Sequence, residues 1–167
     1  VKVLVISDVH GHKSRFDAIM EKHEDSKYII SLGDSELRHR ILQKHDIIAI
    51  KGNYPFDAGF TYEHTMTIRG RRLLLVHGHK HKVKSGYEKL YHRILDTDAD
   101  ITLHGHVHAI RKEDISGRHV LSPGAVNHSR GAENPSYMVM VFNEDDVDVT
   151  WYGAEEHDEI KHCRLEV

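Results

Sequence analysis

Residues 1–12 read VKVLVISDVHGH, and they decide the architecture. An apolar, largely β-branched run climbs to Ile6, meets Ser7-Asp8, and breaks at His10-Gly11. Such a run reads as a buried strand, and the glycine marks its exit into a loop. Loops held by a rigid sheet are where binding and catalytic groups concentrate. The informative question is whether other strands in the chain end the same way.

They do. Lys27–Leu32 (KYIISL) is a second apolar run, and it stops at Gly33-Asp34. Asp46–Ile50 (DIIAI) stops at Gly52-Asn53, and Arg72–Val76 (RLLLV) stops at His77-Gly78-His79. Asp100–Leu103 leads into His104-Gly105-His106-Val107-His108. Between these strands, Lys13–Asp25, Ser35–Lys44 and Tyr87–Asp96 show helical spacing, the first with Ser14 placed to cap it. Strand, helix, strand, helix, strand predicts parallel pairing with right-handed crossovers. The carboxyl ends of such strands form one edge, where ligands bind. Thr61–Ile68 and Arg72–Val76 flank Gly70-Arg71 as a β-hairpin, with Tyr62, His64, Met66 and Ile68 on one side.

The last third is read as all-β. Ile110–Ile115 and Arg118–Leu121 form a hairpin about Ser116-Gly117, and Ser136–Phe142 and Val147–Tyr152 form long strands. The expected fold class is mixed α/β (α+β): a β-sandwich of two sheets flanked by helices. It forms a single domain over residues 1–153, followed by a polar, loose or peripheral tail over 154–167.

Composition narrows the class. The 167 residues suit one domain, able to bury roughly 70% of the unfolded chain's surface. Apolar content is 39% and charged content 29%, as in a soluble globular protein. A formal charge of −3 without a basic block argues against a nucleic-acid surface. No run approaches a membrane span, and no charged-then-apolar leader is read, so neither a membrane location nor a signal peptide is expected. Cys163 is the sole cysteine, which excludes an internal disulfide framework and fits the reducing cytoplasm.

Histidine is abundant, 17 in all, and most are read as exposed; position must select the functional ones. One His-x-His or one Gly-Asp is weak evidence, since such pairs are common in turns and on surfaces. Recurrence at five apolar strand ends reverses that reading. Asp8, His10, Asp34, Asn53, His77, His106 and His108 are therefore candidate metal ligands. Carboxylate, imidazole and amide oxygen without thiolate suit Mn²⁺ above all, with Ni²⁺, Fe²⁺, Zn²⁺ or Co²⁺ as alternatives. The set exceeds the four ligands of one tetrahedral zinc and suffices for two ions sharing a carboxylate. Two such ions hold the attacking and leaving oxygens of an in-line displacement at phosphorus and lower the pKa of a bridging water. The chemistry expected is hydrolysis of a phosphate ester by a bridging hydroxide.

The order Asp-x-His, Gly-Asp, Gly-Asn, His-Gly-His, Gly-His-x-His resembles the calcineurin-like metallophosphoesterase superfamily. The likeness continues through Pro123-Gly124 and Ser136-Tyr137, which look like the ending of its small single-domain phosphodiesterase branch. The resemblance implies that Asp8, His10, Asp34 and His108 bind one metal, with Asp34 bridging. Asn53, His77 and His106 would complete the second site, and His79 would lie near the phosphate. One position departs. Many phosphatases of the superfamily follow Gly-Asn with His and an acid, that His being proposed to protonate the leaving group. Here the sequence is Gly52-Asn53-Tyr54-Pro55, with the acid displaced to Asp57. His79 and His12 become the candidate catalytic groups. Arg130, in the loop after Pro123-Gly124, could reach the site edge. The expected substrate is a small phosphodiester. A phosphomonoesterase or nucleotide phosphatase of the same fold is an alternative, as is a non-catalytic protein-binding scaffold like the related retromer subunit. The exposed side of the Thr61–Ile68 hairpin is a candidate homodimer surface.

Overall fold

A computed structural model describes residues 1–57, 59–128 and 133–167, so Arg130 lies outside the described residues. Among these residues the chain forms two mixed sheets with helices on their outer faces. The first half alternates as the pattern predicts: β1 (Lys2–Ile6), α1 (Lys13–Lys22), β2 (Tyr28–Ser31), α2 (His39–Lys44) and β3 (Ile48–Ala49). β1, β2 and β3 pair in parallel. Then come β4 (Glu63–Ile68), β5 (Arg71–Val76), α3 (Glu88–Thr97), β6 (Ile101–His104), β7 (Ile110–Ile115), β8 (Arg118–Pro123), β9 (Ser136–Phe142), β10 (Asp146–Gly153) and β11 (Glu159–Glu166).

One sheet runs β11-β10-β9-β1-β2-β3 and the other β4-β5-β6-β8-β7. Each strand's period-2 alternation divides its side chains between two layers. Val3 and Val5 of β1 meet Leu73 and Leu75 of β5 between the sheets, while Leu4 and Ile6 turn outward onto Phe16, Ile19 and Met20 of α1. Leu74 and Val76 pack on the opposite outer face against Leu90 and Ile94 of α3. Full burial of a side chain such as Phe16 or Leu90 contributes about 1.5–3 kcal/mol. These three cores hold the carboxyl ends of β1, β2, β3, β5 and β6 in register.

The hairpin joining β4 to β5 turns at Arg69-Gly70, one residue before the expected Gly70-Arg71, because Arg71 already pairs with Ile68, and that joining β7 to β8 turns at Ser116-Gly117 as expected. In both turns both residues have positive φ, the geometry whose twist matches the flanking strands.

Three local expectations change. His12, not Ser14, caps α1: its Nδ1 accepts a hydrogen bond from Arg15 N at 3.4 Å. Helix α2 starts at His39 rather than Ser35, because Glu36 adopts φ +51, outside the helical region. The tail after Gly153 is ordered, since β11 pairs along β10 from Asp146↔Glu166 to Tyr152↔Glu159. Leu165 is buried there while most of its neighbours are exposed, as befits an edge strand.

Candidate metal centre

Asp8 leaves β1 with φ +54 and a wholly buried side chain. Its amide donates to Gly33 O (3.1 Å), and His10 N donates to Asp34 O (3.0 Å), so the first two ligand loops are laced together through the backbone. Ser7 Oγ (2.6 Å) and His106 N (3.0 Å) both donate to Asp8 Oδ2. This leaves Oδ1 facing His108 Nε2 at 3.0 Å and His10 Nε2 at 3.4 Å. The two imidazole nitrogens are themselves 3.4 Å apart. Burial alone would raise the Asp8 carboxyl. Hydrogen bonds from His10 and His108, with the charge of His77, outweigh it and hold the group well below the usual carboxylate range.

A second grouping adjoins it. His77 is buried at the end of β5, and its Nδ1 lies 2.7 Å from the Leu32 carbonyl, which can only accept. That fixes Nδ1 as the protonated nitrogen and turns Nε2 toward oxygens: Asn53 Oδ1 at 3.0 Å, Asp34 Oδ2 at 3.2 Å and Asp8 Oδ1 at 4.0 Å. An imidazole lone pair cannot rest among three acceptors. Either a proton or a metal cation must stand between them. Burial lowers the His77 pKa, but Asp34 and Asp8 overcome it and raise it. This donor set fits a divalent ion, which would take the place of that proton.

Asp8, His10 and His108 thus offer ligand atoms within 4.8 Å of one another, as do Asp8, Asp34 and His77. The expected bridge is Asp34; the carboxylate common to both groupings is Asp8. Asp34 turns its other oxygen to accept from Tyr54 N at 3.0 Å. The glycines before the ligands are there for space. A Cβ on Gly52 would collide with Asp34 Oδ1, and one on Gly33 (φ +106) would come within 2.7 Å of His77 Nδ1.

The remaining candidates sit around this core. The His106 ring packs against His77 at 5.1 Å between centroids, and burial with the His77 charge pushes its pKa down to about 4. His79 lies in a short 3₁₀ turn, 5.3 Å from the His77 ring, and burial followed by the His77 charge lowers it. Its Nδ1 is buried without a hydrogen-bond partner among the described residues. The structure does not bring His12 to these groups: its hydrogen bonds are with Ser14 and Arg15 at the start of α1. Asp57 is buried and turns to His39 at 3.7 Å, and burial raises its pKa.

Sequence reasoning missed Glu36, whose Oε2 is 2.6 Å from His10 Nδ1. It orients His10, and the hydrogen bond of His10 to Asp8, supported by Glu36, raises the imidazole to about 9. Its only signal was its place two residues after Asp34. Ser7 and Asn127, whose Nδ2 donates to His10 O (3.2 Å), were also missed.

The calcineurin-like phosphoesterase superfamily domain matches residues 1–145. The chain belongs to that superfamily. It is 32% identical over 155 residues to the probable metallophosphoesterase YsnB of Bacillus subtilis strain 168, covering 91% of this chain and 90% of that one. Among solved structures, a conserved uncharacterized protein of Streptococcus pneumoniae TIGR4, described as a predicted phosphoesterase, superposes with a TM-score of 0.89 at 22% identity, covering 99% and 97% of the two chains. Vps29 of Entamoeba histolytica in complex with Zn²⁺ superposes at 0.80 and 22% identity, covering 99% of each. At these identities the two structures establish the fold alone. No helix among the described residues is long and apolar enough to cross a membrane.

Proposed function

We propose that the protein is a cytoplasmic phosphodiesterase that binds two divalent ions, manganese foremost, at the joined groupings around Asp8. The observation that carries this is His77, a buried side chain whose Nε2 faces three oxygens. Asp8, His10 and His108 would hold one ion; Asp34, Asn53 and His77 would hold the other, with Asp8 or Asp34 shared and His106 completing the shell. Two ions held there would supply Lewis acidity at phosphorus and lower the pKa of a bound water.

The chain's own residues do the rest. Glu36 and the Leu32 carbonyl fix the tautomers of His10 and His77, so that each presents Nε2 inward. His79, held below its ordinary pKa and so neutral at pH 7, donates an N–H to a phosphate oxygen rather than giving up a proton. Tyr54 stands where many phosphatases of the superfamily carry their leaving-group histidine. With that histidine replaced, the enzyme favours diesters with good leaving groups. A protein-binding scaffold would have no use for donors at all seven candidate positions.

With Mn²⁺, the protein is expected to hydrolyse bis-p-nitrophenyl phosphate faster than p-nitrophenyl phosphate. A dialkyl diester should react slower still. Preference for the monoester, or rates indifferent to the leaving group, would refute this reading.

A further inference from the structure

Two loops of the metal centre each send a lysine to the same aromatic ring. Lys51 precedes Gly52-Asn53, and Lys80 follows His79. Lys80 Nζ lies 4.0 Å from the centroid of the Tyr62 ring and Lys51 Nζ 5.3 Å from it. The backbone joins these parts as well: Lys51 N donates to Thr61 O at 2.8 Å. The Tyr62 ring then meets His79 at 5.8 Å, and His79 meets His77 at 5.3 Å, so the lysines stand two ring contacts from the metal centre.

Bringing two ammonium groups to one ring costs Coulomb energy, which cation–π attraction of about 0.5–1 kcal/mol at an exposed site offsets only in part. Among the described residues, neither Lys51 nor Lys80 has a carboxylate within ion-pair distance. Glu63, the acid next to Tyr62 in sequence, is already paired to Arg93. This focus of unneutralised positive charge sits beside a catalytic centre in a chain whose net charge is −3. A rim of this kind raises the local concentration of anions and orients them.

We infer that Lys51, Tyr62 and Lys80 form a receptor for a second phosphate on the substrate, beyond the scissile one, so that the substrate class is a phosphodiester bearing a further phosphate group. The inference rests on the phosphodiesterase reading for which phosphate is cleaved. It does not rest on that reading for where the second phosphate binds.

Calorimetry on the Mn²⁺-loaded protein with thymidine 5′-monophosphate and thymidine 3′,5′-bisphosphate tests it. The bisphosphate is expected to bind about tenfold tighter, the worth of one charge-assisted contact. In Lys51→Met/Lys80→Met that ratio should fall to near unity. Lys161→Met, on the distant β11, should retain the ratio. Equal affinity in the wild type, or a preference that survives in the double variant, would overturn the receptor. Turnover of bis-p-nitrophenyl phosphate, which has no second phosphate, is scored separately. Its absence would remove the phosphodiesterase reading, while the binding ratio would still decide the receptor.

Discussion

The two halves of the metal centre are built differently although they meet at one carboxylate. Around Asp8, His10 and His108 the imidazoles are half-buried, and His10 is oriented by a side chain, Glu36. In the other half Asp34 and His77 are buried while Asn53 is exposed, and His77 is oriented by a backbone carbonyl that no substitution removes. The difference separates the two halves experimentally. The outer half can be loosened through the side chain that supports His10, whereas the carbonyl that supports His77 stays in place whatever side chain follows it. An ion in the outer half should also exchange with solvent faster, because fewer buried groups must part to release it.

The largest effect is expected from the shared residue. Asp8→Asn should lower turnover about 10³-fold and deplete both halves of metal, whereas Asp34→Asn should remove most activity but strip the inner half alone. Metal content by mass spectrometry, with circular dichroism to confirm folding, checks this. If Asp34→Asn emptied both halves and Asp8→Asn only one, Asp34 would be the bridge.

A smaller effect should follow Glu36→Gln. Freed from its carboxylate, His10 should bind metal about 10- to 100-fold more weakly in the outer half, with the inner half unaltered. Two-phase metal titration resolves the two. Equal weakening of both phases would dissolve the distinction drawn between them.

The smallest effect concerns the metal-free protein. The folded-state pKa of His10 is raised to about 9, so its contribution to stability is complete below about pH 6.5 and is lost as pH rises through 9. His23 and His104 are pushed the other way by burial, to about 4. Their neutral forms favour folding above pH 6.5, and that stability is lost as pH falls toward 4. The melting temperature of the metal-free protein should therefore decline on both sides of neutrality. In Glu36→Gln the alkaline decline should flatten and the acid one should not. An alkaline limb insensitive to Glu36 would assign it to another group.

The sequence already exposed the inner edge of the fold because apolar strands end abruptly, and the parallel order of β1, β2 and β3 follows from the helices between them. Asp8, His10, Asp34, Asn53, His77, His106 and His108 stood out as candidate ligands for the same reason. What was hidden has physical causes. Glu36 falls inside a stretch with helical spacing, but the chain must first wrap the site, where Gly11 N donates to Ser35 O, before α2 can begin. Strand β11 is an edge strand with little to bury, so EIKHCRLE shows too weak an alternation to betray it. His12 looked like a catalytic neighbour because proximity in sequence carries no direction, and its ring turns to the helix terminus instead.

Anomalous diffraction from Mn²⁺-loaded crystals puts the paired centre to the most direct test. Two peaks about 3.5–4 Å apart are expected, one bounded by Asp8, His10 and His108 and the other by Asp34, Asn53 and His77. A single peak, or metal bound away from Asp8, would contradict it.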